Sequence, residues 1–465
     1  VGTSTFFGLD LAQSGLFAQK RAMDVLGYNI AHANDPTYKR QRIIMSEGSV
    51  FASSQEATAV GSSVFGSGVT SGDVERVRDI LIENRLRQSY ESAAEWSYKS
   101  STLNQVQTNL GEPSDSGLQA DLDQFWASWQ KVATTPNSMP IRSALIEDSS
   151  ALCQRIQFVY NQMGNTVQDL DQSNIERVDK VNQISDEIAR LSSQIGALES
   201  GQMPVNDLLN RRDALVGELS KLVSVTVHGD STNNFVISIG GRILVQGMHA
   251  NKLTTTIDAH NNHVTAWADD GAPVVMGSGE MQAIADLRDN VIPDYMSKLD
   301  DIATSLVSTV NALHHTGMID TTTNGGDFFK AGTTAANISL DPSIIDHPEL
   351  VAASTSGAQS DGSIAQKIAS LKVQQLPSGK TINQMYVDLV GEIGVAAATA
   401  DRQTQAHQLS VDQFTTQEQS VSGVSLDEEM TNMIKFQQAY NASARLITVM
   451  DEMLKTLMQT GSIGG

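Results

Sequence analysis

With one cysteine, Cys153, in 465 residues, the chain cannot close an intrachain disulfide or supply a multi-cysteine metal cluster. Aromatic residues are scarce at 5%, which favours helices packed through Leu, Ile, Val, Met and Ala over a thick aromatic core. Positive charge is scarce as well: 31 Lys and Arg stand against 53 Asp and Glu, a formal charge of −22. A phosphate backbone demands clustered cations, and basic runs such as Lys39-Arg40-Gln41-Arg42 are short and isolated. Nucleic acid is therefore not expected as a partner, nor is an anionic membrane surface. No run approaches the roughly 18 apolar residues that cross a bilayer, so membrane insertion is not expected. Val1 to Phe17 lacks the basic and apolar regions of a secretory signal, and the expectation is a chain that is either cytoplasmic or exported without a cleaved signal. The length suggests about three average domains.

What the sequence has is periodicity. Leu9, Ala12, Leu16, Gln19, Met23, Leu26, Ile30 and Ala33 alternate steps of three and four, the seam of a coiled coil. Pro36 predicts its end near Asp35. Near the other end Met430, Met433, Gln437, Tyr440, Ala444, Ile447, Met450, Leu454 and Leu457 form a similar seam with one phase slip near Met450. Both ends read as narrow amphipathic helices that need partners. Ser425 and Glu428 predict a capping box at the start of the second helix, with Asp427 and Glu429 adding negative charge at its positive end. Adjacent acids could also serve acid/base chemistry, but in a first turn they are the ordinary electrostatic solution.

Between the seams, Ile141 to about Leu198 predicts one helix of roughly 85 Å, and Val181, Ile184, Ile188, Leu191, Ile195 and Leu198 repeat the three-four step. Ile292 to Leu313 and Ile382 onward to Gln419 predict long returning helices, hence an elongated body. After Gly201-Gln202-Met203-Pro204 the composition changes. Residues 223–228, 235–239, 242–246, 253–258 and 264–268 are short β-rich runs separated by Asn233-Asn234, Gly240-Gly241 and Asn261-Asn262, which read as successive hairpins. The Ser-, Gly- and Ala-rich stretch from Gly48 to Gly72 reads as a loop or extended arm. The expected fold is mainly α with an inserted β domain: elongated, with terminal coiled-coil helices, a long helical-bundle domain and a small all-β outer domain. The expected division is 1–45 with 420–465 as the coiled-coil inner domain, 46–203 with 280–419 as the long-helix domain, and 204–279 as the inserted β domain, to which 317–345, with its Gly- and Thr-rich stretch Gly317 to Thr334, could contribute.

Chemistry is hard to find. There is no Gly-rich phosphate cradle followed by Lys, no G-x-S-x-G and no H-E-x-x-H. His260-Asn261-Asn262-His263 has metal-like spacing but equally fits a hairpin turn flanked by two histidines. His314-His315 closes a predicted helix, where His beside the last carbonyls is unremarkable and a proton switch is the sharper alternative. Asp320 to Asp327 places oxygen ligands and glycines as a calcium loop does, yet Ala331 stands where the twelfth-position Glu belongs, and a turn is the plainer reading. Cys153 reads as a small core residue. No catalytic, cofactor or metal residue is assigned, and an enzyme is not expected.

The two ends carry more than periodicity. Ser14-Gly15-Leu16-Phe17-Ala18-Gln19 through Gly27-Tyr28-Asn29-Ile30-Ala31-His32-Ala33-Asn34-Asp35-Pro36-Thr37-Tyr38-Lys39-Arg40-Gln41 resembles the amino-terminal signature of bacterial flagellar rod, hook and hook-associated proteins. Ser422-Gly423-Val424-Ser425-Leu426-Asp427-Glu428-Glu429-Met430 and Phe436-Gln437-Gln438-Ala439-Tyr440-Asn441-Ala442-Ser443-Ala444-Arg445 resemble their carboxy-terminal signature. Four interior stretches are similar to the hook-filament junction members of that family: Leu118 to Trp129, the helix start Ile141-Arg142-Ser143-Ala144-Leu145, Asn206-Asp207-Leu208-Leu209-Asn210-Arg211-Arg212-Asp213, and Asn311 to Gly317 ahead of Asp327-Phe328-Phe329. Two positions depart from the family pattern, Tyr28 where a second Asn is usual and Thr37 where Gly is usual, so the turn after the first helix is expected to differ in geometry. The chain is also shorter than large members, which implies that an outermost domain is missing.

The resemblance implies an extracellular part of the flagellum, exported through the type III apparatus with the help of a chaperone. Its implied task is to join a bendable hook to a stiff filament. The implied partners are further copies in a ring or helical layer, the hook protein and a second junction protein. The implied assembly interface is the two seams, represented by Leu9, Leu16, Met23, Leu26, Ile30, Met430, Met433, Tyr440, Ile447, Leu454 and Leu457. The terminal helices would line the inner wall, with the long helices next and the β domain outward. The alternatives are another axial part, hook or rod, and a coiled-coil surface protein whose β domain binds a ligand.

Overall fold

In the 62-residue helix Met139–Ser200 proline falls in the first turn, where the missing N–H has no intrahelical partner to lose. The computed structural model describes residues 7–47, 68–112, 114, 117–229 and 235–461. In chain order it contains α1 (Phe7–Ala31), β1 (Gln41–Glu47), β2 (Val69–Arg76), α2 (Ile80–Leu110), α3 (Leu118–Thr134), α4 (Met139–Ser200) and α5 (Asn206–Leu222). Six short strands follow: β3 (Thr226–His228), β4 (Val236–Ile239), β5 (Arg242–Gln246), β6 (His249–Ala250), β7 (Leu253–Ile257) and β8 (His263–Trp267). The remaining α-helices are α6 (Glu280–Asp286), α7 (Ile292–His315), α8 (Pro342–Asp346), α9 (Ser363–Ser370), α10 (Ile382–Ser422) and α11 (Leu426–Gly461). A π-helical turn, Leu287–Val291, joins α6 to α7.

Helix α2 serves as a ruler for the body. At its start, Glu83 shares a cleft with Lys39, Asp213 and Glu418. Midway, Glu91 Oε1 accepts from the Val225 N–H at 3.1 Å, and Glu95 Oε2 accepts from Ser278 Oγ at 2.8 Å. At its end, Leu103, Val106 and Leu110 enter the largest hydrophobic core. The order along the axis is therefore the terminal helices, the β strands, and then a helical lobe. The chain is mainly α with an inserted β region, and the strands lie alongside the middle of the body rather than at its far end. The reason is the turn at residues 201–205 after α4, from which α5 folds back beside α4 and α2 and carries the strands with it.

The β strands form an antiparallel meander, β3-β4-β5-β6, and a separate hairpin, β7-β8. Gly240 and Gly241 both adopt positive φ, 55° and 84°, at the β4-β5 turn, as a two-residue hairpin loop requires. Phe235, Ile237, Leu244, Val245 and Trp267 pack on α5 and on Val178, Val181, Ile184 and Ile188 of α4, so one core spans strands and helices. The Asn233-Asn234 turn expected from the sequence lies outside the described residues, as does residue range 48–67 of the expected arm; Val69 onward forms β2, paired with β1.

In the helical lobe the few aromatics gather. Phe125, Trp126, Trp129, Phe328 and Phe329 are all buried, with ring centroids 4.8 Å apart for Phe125–Trp126, 4.9 Å for Trp129–Phe328 and 5.1 Å for Phe328–Phe329. Region 317–345 thus belongs to this lobe and not with the β strands. Its Phe328, Phe329, Ile338 and Leu340 are core residues of α3, α4 and α7, and Asn311 of α7 holds it by accepting from the Phe328 and Phe329 N–H groups (3.0 and 2.9 Å) and donating to the Phe329 carbonyl (2.7 Å). Arg142 at the start of α4 donates to the carbonyls of Pro136 (2.7 Å), Glu349 (2.9 Å) and Val351 (2.8 Å), closing the other side of the lobe.

Candidate functional site: the joint between the terminal helices and the body

α1 and α11 run antiparallel, with Asn29 beside Glu429 and Gly8 beside Met450, and the β1-β2 hairpin lies along α1 as well. The deepest line on α1 is Ala12, Ala18, Ala22, Leu26 and Asn29, since small side chains let neighbouring backbones approach. Of the residues expected at the interface, Leu26 is buried, whereas Leu9, Leu16, Met23, Ile30, Met433, Tyr440, Ile447 and Leu454 are half-buried in the single chain. Met430 is exposed at 50%, and the side chain of Leu457 lies outside the described residues. A second apolar line faces away from the pair: Leu11 and Phe17 on α1, and Ile434, Leu446, Val449 and Met453 on α11, all exposed.

The two signature ends meet at the base of this pair. Asn29, fully buried, donates from Nδ2 to the Gln41 carbonyl (2.8 Å) and Glu429 Oε2 (2.9 Å), while its Oδ1 accepts from Tyr38 Oη (2.8 Å) and the Gln41 N–H (3.0 Å). One α1 side chain so satisfies groups from the following turn, β1 and α11 at once. Arg40 pairs with Glu428 at 2.7 Å and reaches Glu429 at 3.6 Å, its N–H donates to the Ser422 carbonyl at 2.8 Å, and Lys39 pairs with Glu418 of α10. Glu428 thus turns its carboxylate to Arg40, not back to the Ser425 N–H as a capping box requires. Ser425 Oγ does sit at the Glu428 N–H, at a long 3.5 Å.

A second set of contacts comes from α5. Tyr28 donates to Asp207 at 2.5 Å, a bond that with partial burial pushes its phenol up to about 12. Asn206 donates to Gln41 Oε1 (3.2 Å) and the Val74 carbonyl (2.9 Å), and Arg76 donates to Asn210 (3.0 Å) and Asp213 (2.7 Å). His32 and Tyr38 stack, with centroids 4.9 Å apart at 19°, and Tyr28 packs tilted against both. Thr37 bonds Asp35 Oδ1 through N–H and Oγ1, each at 2.8 Å, which holds the Asp35 carboxyl below its usual range. Within the turn Thr37 thus bonds Asp35 locally, while the Tyr28 phenol reaches out to Asp207 of α5.

A cleft of about 300 Å³ opens beside this joint, lined by Thr37, Glu83, Arg87, Asp213, Lys221 and Glu418 among others. Burial raises the Glu83 carboxyl and lowers Arg87. Three of its carboxylates pair internally, Glu418 with Lys39, Glu83 with Arg78 (2.6 Å) and Asp213 with Arg76 (2.7 Å).

The other sequence candidates take structural roles. His260 is exposed on the β7-β8 turn, while His263 Nδ1 lies 2.5 Å from Asp171 of α4, so the two histidines do not converge. His314 is buried, its Nδ1 on the Gly326 carbonyl (2.7 Å) and its Nε2 accepting from the Ala352 N–H (2.8 Å); burial lowers it to about 4. His315 pairs with Asp327 at 2.7 Å, and Asp320 Oδ1 closes its own turn on the Thr322 and Thr323 N–H groups. Cys153 is buried, its thiol pushed up to about 12.

The sequence reading missed the polar stripe on α4 that docks the β hairpin. Asp171 accepts from the His263 N–H (2.6 Å) and buried Arg288 (2.9 Å). Asn174 donates to the His263 carbonyl (2.6 Å), and Asn182 bonds both the N–H and carbonyl of Leu253 (2.9 and 2.8 Å). Asp171, Asn174 and Asn182, spaced three and eight apart beside the buried Val178 and Val181, were the available signal.

Asn29→Ala strands buried groups of Tyr38, Gln41 and Glu429, each costing about 1–3 kcal/mol when left unpaired. We expect about 2–4 kcal/mol lost locally and hydrogen exchange at the Gln41 amide accelerated at least tenfold. Unchanged exchange there would refute the account of Asn29.

Comparison with known proteins finds relatives along the whole chain. Residues 103–329 match the flagellar hook-associated protein FlgK helical domain, and residues 417–460 match the C-terminal region of the flagellar basal body rod FlgEFG proteins. Flagellar hook-associated protein 1 of Bacillus subtilis (strain 168) is 30% identical over 505 aligned positions, covering 100% of both chains, and its counterpart in Escherichia coli (strain K12) is 24% identical over 96% of this chain and 98% of its own. The flagellar hook junction protein FlgK from Burkholderia pseudomallei shares the fold, with a TM-score of 0.64 at 15% identity over 73% of this chain and 100% of that one. An end-to-end relative, a matching interior domain and two signature ends that fold into one joint lead to the same place: the chain belongs to the flagellar hook-associated protein 1 family.

Proposed function

We propose that this chain is a structural junction subunit of the bacterial flagellum that joins hook to filament by polymerising through its terminal helices. The observation that carries the reading is the α1-α11 pair: it buries one line of small and apolar residues within the chain and leaves a second apolar line, Phe17, Ile434, Leu446, Val449 and Met453, uncovered. Copies of the chain arranged around a tube cover such a line at every position. The role is mechanical, not catalytic. The division into a terminal coiled-coil part (1–45, 420–465), a long-helix part (46–203, 280–419) and an inserted part (204–279) is proposed on the same grounds, with the second apolar core linking the last two.

The proposed place is the flagellum outside the cell, reached through the type III export apparatus with a chaperone. Hook protein lies on one side and the second junction protein on the other. The match of residues 417–460 to rod proteins supports a hook or rod part as the second reading. Electron microscopy of cells deleted for this chain separates them. Bare hooks with filament protein shed to the medium are expected; absence of the hook itself would assign the chain to rod or hook.

A further inference from the structure

We infer that the N-terminal face of α5 is a latch that fixes the angle between the terminal helix pair and the body. Asn206, Asp207, Asn210 and Asp213 fall at i, i+1, i+4 and i+7, one side of the first two turns. All four take partners in the N-terminal segment: Gln41 and Val74 for Asn206, Tyr28 for Asp207, and Arg76 for both Asn210 and Asp213. The signature contacts of Asn29, Lys39 and Arg40 go instead to Glu429, Glu418, Glu428 and the Ser422 carbonyl, at the α10-α11 junction.

The distinction is geometric. Contacts gathered at the Gly423-Val424-Ser425 break between α10 and α11 hold the pair to one point of the body, and a body held at one point can pivot. α5 supplies a second attachment, off that point, and two attachments set an angle. Tyr28 is the member of this set that projects from α1 itself. The Arg76 side chain is only 4% exposed, so its pair with Asp213 is less screened than a surface pair.

The consequence for assembly rests on the proposed function, since pose matters only if the pair is what assembles. The angle is measured on the free, full-length chain. Spin labels at Gln438→Cys on α11 and Arg190→Cys on α4, both exposed in the native chain, report the angle by distance distribution. Labels at Asp24→Cys and Gln438→Cys report the pair itself. Buried Cys153 stays unlabelled. Tyr28→Phe and Asp207→Ala should each at least double the width of the α11-α4 distribution while leaving the α1-α11 distribution unchanged, and Asp207→Asn, which keeps an acceptor for the phenol, should restore the narrow width. Unchanged α11-α4 widths would overturn the latch, and so would broadening across the α1-α11 pair, because the pair itself would then have come apart. Normal assembly by chains with a charged outer line would instead overturn the proposed function and leave these distances untouched.

Discussion

Ile434→Asp and Val449→Asp are each expected to leave the free chain's thermal midpoint within about 2 °C of wild type and to leave cells with hooks that carry no joined filament. Both side chains are roughly half exposed, 53% and 45%, so the free chain loses little when they go. In an assembled wall the same positions would be enclosed. There a lost aliphatic removes about 1.5–3 kcal/mol per subunit, and a carboxylate placed among apolar neighbours must be paired or neutralised. Phe17→Asp, on the outer line of α1, should behave alike. Leu26→Asp should not: Leu26 is already 7% exposed in the single chain, and its replacement should loosen the α1-α11 pair as well as block joining. Lys455→Asp removes only an exposed, solvent-screened pair with Asp451 and should be mild. Normal joining by the outer-line variants, counted by electron microscopy and motility in soft agar, would place the assembly interface elsewhere.

The contrast between Leu26 and Ile434 marks where sequence reasoning reached and where it stopped. The α4 seam, the returning helices α7 and α10, and the β hairpins were legible because apolar spacing and Gly or Asn turns are local signals. The seams at the ends were legible as helices, but the line of deepest burial was not. The periodicity marked Ala12 and Leu26 but otherwise favoured larger apolar residues, whereas close helix approach also placed Ala18 and Ala22 inside. α2 left little trace because its buried side includes Ser89, Glu91 and Thr102 among the aliphatics. The Gly and Thr content of 317–345 signalled turns without saying what they turn around, and Phe328-Phe329 was the better clue. The joint was invisible to any local reading, because Asn29 and Glu429 stand 400 positions apart, and Glu428 found Arg40 a better partner than its own helix end.

His314 makes the helical lobe acid-labile in a defined window. Its Nε2 accepts from the Ala352 N–H, so a proton there replaces an acceptor with a donor facing a donor. Burial is the main cause of its fall from 6.5 to about 4; His315 and Arg142 oppose the proton as well, while the Gly326 carbonyl and Asp327 favour it without prevailing. A base whose folded value lies below its unfolded one contributes its full stability above the unfolded value and loses it as pH falls toward the folded value. Between pH 6.5 and 4 the lobe should therefore lose about 3 kcal/mol. Glu83 and Glu91, raised by burial, act in the opposite sense, but they lie on α2 toward the joint and strand zone and are common to any variant compared. Urea titrations followed by tryptophan fluorescence suit the measurement, since Trp129 sits 6.3 Å from the His314 ring. His314→Gln should be less stable than wild type at pH 7.5 and should lack this dependence, so the two titration series converge as pH falls. Asn311→Leu, which breaks the neighbouring clasp without a titrating group, should be destabilised by a constant amount from pH 7.5 to 4. Parallel curves for wild type and His314→Gln across that window would show that His314 takes up its proton without opening the lobe.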